Sequence, residues 1–577
     1  MNTSMIVYRL FDVADEINLD LVQALWTSRN KIASRLRLDR ISTKSITFKA
    51  PPVLVELGSH EMELGGKTYL AEIKARIFDL GVISLIIRIP FEDDVTYDEY
   101  LDMAIVSENM PEEEIHHYLD AVLETIRPAC SNERVSDFDE ETLHQVRRCL
   151  LDHIGCSVFP AGYGMCESLV QQIMALVPQS PENAAVWGEA NRTSAWAAAF
   201  ANAVRTSNIE LDDCSGIGAS VHPGVYIWSS ILAQAQIYDW DGADILRGAV
   251  FGYDICMRLG LLATAQMRDF GLHGPGFIGA LGVAGSSALL LGLTPDGIEN
   301  ALCIAASLLP VCPFSSFMEG ADSKDLYGGW GVALGIFAAQ VAKRGLSGPK
   351  HILEGEKSLG KFFTGTKGLD VAPGSHFYIN DISFKQFSAC HSVHPAVTAV
   401  KRLLAREHLD PAEISSVTIS TYPYSYALNA GVQDPLTPSS ARLCLPYIVA
   451  VTLLEGDLLP EAFFEQRIQN SDVEPLRRKM KVICNDAYGD SPFSIRGCGI
   501  SIQLRDGRRL FEEATSCEWD AAPSDDALCK KFRALAGGIL TAEETEQLEE
   551  TVLGFNPETN IRDIIQILAR FHGKQST

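Results

Sequence analysis

The chain has 577 residues, 47% of them hydrophobic, with a formal charge of −26 and 14 cysteines. That length exceeds what one core supports and predicts two or three domains, and the apolar fraction excludes a disordered chain. The charge argues against nucleic acid as a partner: the strongest basic cluster, Arg477-Arg478-Lys479-Met480-Lys481, is short and reads as a solvated helix face.

The chain opens MNTSMIVYRLFDVADEINLD, with acids where a signal peptide needs an apolar core. The scattered cysteines form no CxxC pair and read as reduced thiols of a cytoplasmic protein. Residues 1–130 read as a small α+β accessory domain. Its expected strands are ISTKSITFKA, PVLVELG, KTYLAEIKARIF and GVISLIIRIPF, by alternation and β-branched content. Its expected helices are INLDLVQALWTS, TYDEYLDMAIVSE and PEEEIHHYLDAVLETIR.

From 137 to 370 the texture turns helical, starting with ETLHQVRRCLLDHIGCSVF and the alanine-rich SAWAAAFANAVRTSNIE. The long uncharged run from Gly271 to Leu293 is rich in Gly, Ser and Ala and contains Pro275. It suits a helix buried in a bundle better than a membrane span. Residues 371–507 alternate again, with ISSVTISTY and RGCGISIQLRDG as strands and HPAVTAVKRLLAREH and LCLPYIVAVTLLEG as helices. Residues 508–577 return to helix. The expected fold is therefore mainly α: a large, discontinuous helical domain from 137–370 and 508–577, and a smaller α+β lid from 371–507. The small α+β domain precedes both.

Four places set a histidine or lysine just ahead of a helix: His222-Pro223-Gly224, His273-Gly274-Pro275-Gly276, Lys324, and the stretch Lys385 to His394. Helix starts carry unpaired N–H groups and partial positive charge, so a nearby lysine makes an anion site and a histidine stays neutral. Four such ends brought together would suit a molecule with two or three carboxylates. Glu210-Leu211-Asp212-Asp213 follows the alanine-rich helix, where carboxylates oppose the helix dipole and rise in pKa. Cys390-His391-x-x-His394 offers metal-ligand types, but no second cluster at structural-zinc spacing follows. A cysteine nucleophile with an adjacent base is a second reading of the same stretch. GEKSLGKF puts Phe362 where a phosphate loop needs a hydroxyl, and GPGFIG follows no strand. Gly279, Gly282 and Gly285 look like packing contacts.

The ordered segments AAFANAVRTSNIELDD, VHPG, LHGPGFIGALGVAGSSALLLGL, SKDLYGGWGVALGIFAAQ, FKQFSACHSVHPAVTA and ARLCLPYIVAVTLLEGDL resemble the MmgE/PrpD family. The likeness runs from about Asp137 to the C-terminus. It implies an active site between helical domain and lid, a homodimer, and no organic cofactor or metal. By position, His222 and His273 resemble the family's histidines, Lys324 and Lys385 its lysines, and Tyr447 the tyrosine of its slpY-like helix. Departures exist: Arg205-Thr206-Ser207 stands where the family usually has a histidine, Glu210 replaces an Asp and Cys214 a Thr. The implied function is a lyase acting on a small di- or tricarboxylic acid, by dehydration or decarboxylation. In that reading His222 and His273 act as base and acid, and Lys324 and Lys385 hold carboxylates. Tyr447 donates to a leaving group, Glu210 orients a histidine, and Cys214 and His391 contact substrate. The alternatives are an isomerase or epimerase of a dicarboxylate, and a binding protein with a degenerate site. No nucleic acid and no membrane partner is expected.

Overall fold

The structure is a computed structural model. It describes the backbone of four strands between 53 and 104, and then residues 138–571 except 177–181, 191, 218, 351, 353–358, 360–375, 432–433, 490–495, 516–518 and 520–522. The expected segments ISTKSITFKA, INLDLVQALWTS and PEEEIHHYLDAVLETIR lie outside the described residues. The chain divides into two compact units, Met1–His117 with Thr364–Asp370, and Tyr118–Phe363 with Val371–Thr577.

In the first unit, β1 (Val53–Leu64), β2 (Lys67–Ile77), β3 (Val82–Pro90) and β4 (Thr96–Ala104) form an antiparallel meander in that order. A register shift between Glu56 and Gly58 marks a bulge in β1. β4 corrects a sequence expectation. TYDEYLDMA fits a helical repeat through Tyr97, Tyr100 and Leu101, but it also alternates through Tyr97, Leu101 and Met103. The edge of β3 decides between them, pairing from Pro90↔Thr96 to Val82↔Ala104.

The second unit is mainly helical. Its long helices are α1 (Glu140–Gly162), α2 (Glu167–Leu176), α3 (Ala195–Asn208), α4 (Pro223–Gln234), α5 (Gly242–Asp269), α6 (Gly274–Leu290), α7 (Pro295–Ser307) and α8 (Leu326–Lys343). Caps fix several starts: Asp139, Ser194 and Thr294 each accept a first-turn N–H. α6 is the central helix and packs on α4, α5, α7 and α8. It is apolar all round, as a helix buried on every side must be. Its glycines allow the close approach: a Cβ on Gly282 would lie 2.2 Å from Cys256 Sγ, and one on Gly279 would lie 2.3 Å from the Tyr226 ring. Among the described residues no helix is long and apolar enough to cross a membrane.

The α+β part begins with α9 (His394–Arg406). β5 (Ile414–Thr421), α10 (Leu445–Glu455), β6 (Met480–Cys484), β7 (Cys498–Leu504) and β8 (Arg509–Ala514) follow. The sheet order is β6-β5-β7-β8, parallel between β5 and β6 and antiparallel elsewhere. β8 carries this sheet past residue 507. The basic cluster is not one helix face: a short helix ends at Arg477 and β6 begins at Met480, while the Lys479 ammonium donates to Ile414 O at 2.7 Å. The tail adds α11 (Asp525–Ala536), α12 (Ala542–Leu553) and α13 (Ile561–Leu568), and α11 and α12 pack on α1. The twelve described cysteines all carry free thiols.

Candidate active site

A cavity of about 140 Å³ opens in the second unit, between the helical bundle and the α+β part. Segments far apart in sequence line it. The loop after α3 brings Glu210, Asp212 and Cys214, the starts of α4 and α6 bring His222 and His273, and the 3₁₀ turn ahead of α8 brings Lys324. From the α+β side come Lys385, His391, Tyr422, Tyr424 and Arg496. The four helix starts singled out in the sequence therefore do meet.

The loop after α3 is held in place by pairing. Cys214–Ser215 bridges antiparallel to Ile382–Ser383, and Gly216 N donates to Asp381 O at 2.8 Å. Glu210 adopts a left-handed backbone with φ of 52°, uncommon for a residue with a side chain. Its carboxylate accepts from the ammonium groups of both lysines, Lys324 on one oxygen and Lys385 on the other at 3.0 Å. Lys385 also reaches Asp212 Oδ1 at 3.2 Å. Its side chain is 1% exposed.

Asp212 Oδ2 lies 3.1 Å from His222 Nδ1, and Asp213 O lies 2.7 Å from the same nitrogen. Both partners are acceptors only, so Nδ1 donates to them and Nε2 is the nitrogen left to exchange a proton. That is the orientation a general base needs. The orienting carboxylate is Asp212, not Glu210 as the sequence suggested, because the longer Glu210 side chain is taken by the lysines. Burial alone would raise the Asp212 carboxyl; Lys385 and His222 outweigh it and hold it below the usual range.

Asp213 behaves oppositely. Burial pushes its carboxyl up to about 7, against hydrogen bonds from Tyr253 at 2.6 Å and Gly224 N at 2.9 Å. Burial and lysine contact, rather than the α3 dipole, thus set these two carboxyls. One first-turn N–H of α4, that of Gly224, is thereby committed to Asp213.

Because Asp213 is protonated in the folded chain and ionised in the unfolded chain between about pH 4 and 7, its contribution is present at low pH and is lost as pH rises through 7. The shift corresponds to a change on the order of 4 kcal/mol over that interval. Asp213→Asn fixes the neutral form. We expect urea midpoints of this variant to fall less steeply between pH 5 and 8 than those of the wild type. Parallel pH curves would refute the assignment.

His273 is half-buried, and the loss of water around its ring, joined by positive charge at His222 and Lys385, pulls its imidazole down to about 3. It is therefore a neutral ring at pH 7, able to donate one N–H but not to act as an imidazolium acid. Burial also draws the Lys324 ammonium below the ordinary lysine value. Asp325 opposes this and Lys385 and Arg442 reinforce it, while contact with Glu210 favours the charged form.

His391 Nδ1 accepts from Arg496 at 2.7 Å and lies 3.6 Å from Cys214 Sγ. An arginine only donates, so the imidazole is the acceptor of this contact; the same guanidinium nitrogen lies 3.3 Å from Nε2. Cys390 Sγ meets Ser392 Oγ, and His394 Nε2 meets Ala389 O. These side chains go to separate partners, and among the described residues no group of three or more His, Cys, Asp or Glu is placed to hold a metal ion.

Tyr447 does not line the cavity. It is 1% exposed in the core beneath the β6-β5-β7-β8 sheet, and its hydroxyl donates to Ala462 O. α10 is apolar on every side, so its pattern assigns the tyrosine no direction. The phenols at the cavity are Tyr226 and Tyr327 from the bundle and Tyr422 and Tyr424 just past the end of β5. Arg205 also points elsewhere, pairing with Glu167 and Glu189; of the three residues that replace the family segment, Ser207 reaches the cavity. Arg496, a single basic residue ahead of a strand, carried no pattern by which to find it.

The MmgE/PrpD N-terminal domain model matches residues 126–372, and the MmgE/PrpD C-terminal domain model matches residues 387–556. Residues 2–154 match the N-terminal domain of uncharacterized protein MJ0711. The chain is 26% identical over 466 residues to cis-aconitate decarboxylase of Aspergillus terreus, covering 76% of this chain and 94% of that one. It is 26% identical over 454 residues to cis-aconitate decarboxylase of Mus musculus, covering 74% and 90%. It is 24% identical over 399 residues to 2-methylcitrate dehydratase of Salmonella typhi, covering 63% and 79%.

Proposed function

The chain belongs to the MmgE/PrpD family, with a further domain ahead of the family region, and from this we propose that it is a lyase acting on a small di- or tricarboxylic acid. The observation that carries the reading is Glu210: two buried lysines from different elements converge on one carboxylate beside an oriented histidine. Such a place holds a substrate carboxylate and absorbs negative charge developing next to it. The relatives' names, a decarboxylase and a dehydratase of such acids, support the same class.

In dehydration, His222 Nε2 takes the proton on carbon, the electron pair delocalises toward the carboxylate held by Lys324 and Lys385, and hydroxide leaves with a proton from a cavity donor. In decarboxylation the C–C bond breaks instead, the same charge forms, and the carbon then takes a proton. Arg496, beside His391, supplies a further cationic group for another carboxylate. Tyr422, Tyr424 and the His273 N–H are the neutral donors. We assign a homodimer on the family likeness.

The test is incubation of the full chain with cis-aconitate, citrate and 2-methylcitrate in D₂O, followed by NMR. Release of water or CO₂ from one acid is the expected result. Deuterium entering recovered acid without either loss would replace the lyase with an isomerase. No change in any acid, with no thermal shift, would overturn the proposal.

A further inference from the structure

Lys531 stands on α11, and its side chain is 8% exposed. An ammonium has three N–H donors and no acceptor. All three are spent, on Asp152 Oδ1 at 2.6 Å, Leu211 O at 2.7 Å and Lys385 O at 3.0 Å. Leu211 stands between Glu210 and Asp212, the two carboxylates that take the Lys385 ammonium. Lys531 therefore holds the backbone on both sides of that ion-paired cluster, while the cluster itself holds the side chains. It is not among the residues lining the cavity.

A purely structural lysine needs only to neutralise Asp152, whose side chain is 1% exposed. The two carbonyl contacts go further. They fix the separation of two loops that belong to different parts of the fold, one after α3 and one ahead of α9. Other ties between these loops flank this point: Ser388 Oγ donates to Ile209 O on one side, and Cys214–Ser215 bridges Ile382–Ser383 on the other. Geometry at such a cluster matters, because a displacement of about 1 Å can cost 10²-fold in rate.

We propose that Lys531 is a positioning residue: it sets the distance between the Glu210–Asp212 segment and Lys385, so that one ammonium meets both carboxylates. Its effect on turnover rests on the lyase reading; its effect on the two loops does not. The experiment compares the wild type with Lys531→Met, Lys531→Arg and the double variant Lys531→Met/Asp152→Asn, which keeps no buried unpaired charge. Three readouts are taken: thermal midpoint, hydrogen–deuterium exchange of peptides spanning 209–214 and 383–388, and kcat and KM for the acid that the wild type turns over. Arginine restores the charge opposite Asp152, but its planar fork cannot present three N–H groups around one point. We expect Lys531→Arg and the double variant to recover most of the midpoint. Both should exchange faster in the two peptides and lose at least tenfold in kcat, with KM changed less than threefold. Wild-type exchange in both peptides would overturn the proposal, as would wild-type kcat in Lys531→Arg. If the wild type transforms none of the acids, the lyase reading falls, and the exchange data alone decide the role of Lys531.

Discussion

His222→Ala is expected to lower kcat roughly 10²–10⁴-fold, the ordinary contribution of a positioned general base. Stability should barely move, for a reason visible in the partners. The His222 side chain is 26% exposed, and Asp212 keeps its contact with Lys385 when the imidazole is gone. Asp213 O loses one donor, from a side chain that is itself partly open to water. The measurement is kcat and KM for the acid turned over by the wild type, with circular dichroism and a thermal midpoint on the same sample. His222→Gln is the useful companion, since its amide can still donate toward Asp212 but offers no basic nitrogen. Both variants should fail in kcat with KM little altered. A kcat within threefold of wild type in either one would remove His222 as the base.

What could be read in the sequence, and what could not, follows from what each residue depends on. Helix starts are local: proline in the first turn with a glycine beside it marks the starts of α4 and α6, so His222 and His273 could be placed there, and Lys324 just ahead of the glycine-rich start of α8. The side-chain partners are not local. Glu210 and Asp212 are two residues apart and alike in charge, yet one takes two lysines and the other a lysine and a histidine. That choice depends on a left-handed turn at Glu210 and on a loop arriving from residue 385. Tyr447 failed for a different reason: in a helix buried on all sides, an aromatic residue carries no sign of which way it faces. Lys531 lies on an amphipathic helix, where a lysine reads as surface, and only the packing of α11 on α1 turns it inward. In β4, nine residues fit both periods, and pairing with β3 settles what the pattern leaves open.

Lys385→Met tests the other half of the site, and here the expected effect is on stability as well as activity. The ammonium separates two buried carboxylates, Glu210 and Asp212, and removing it leaves them sharing Lys324 and His222. Removing one partner of a buried ion pair costs about 3–5 kcal/mol, because the remaining charge stays out of water. The sign of the pH dependence follows. In the wild type the depressed Asp212 carboxyl contributes stability above its unfolded value, near 4, and loses it as pH falls through the folded value. Without Lys385, burial dominates and the carboxyl rises. The deficit should therefore be largest at pH 7 and shrink toward pH 4, where the variant protonates Asp212 and no longer strands its charge, while the wild type still holds it ionised. Urea midpoints at pH 7, 5.5 and 4 read this directly. Adding Glu210→Gln to Lys385→Met removes one of the stranded charges and should recover part of the midpoint without recovering turnover. That split separates the two roles of the lysine: if the double variant regains activity along with stability, Lys385 acts only as a counter-charge to Glu210 and the carboxylate-holding role passes to Lys324.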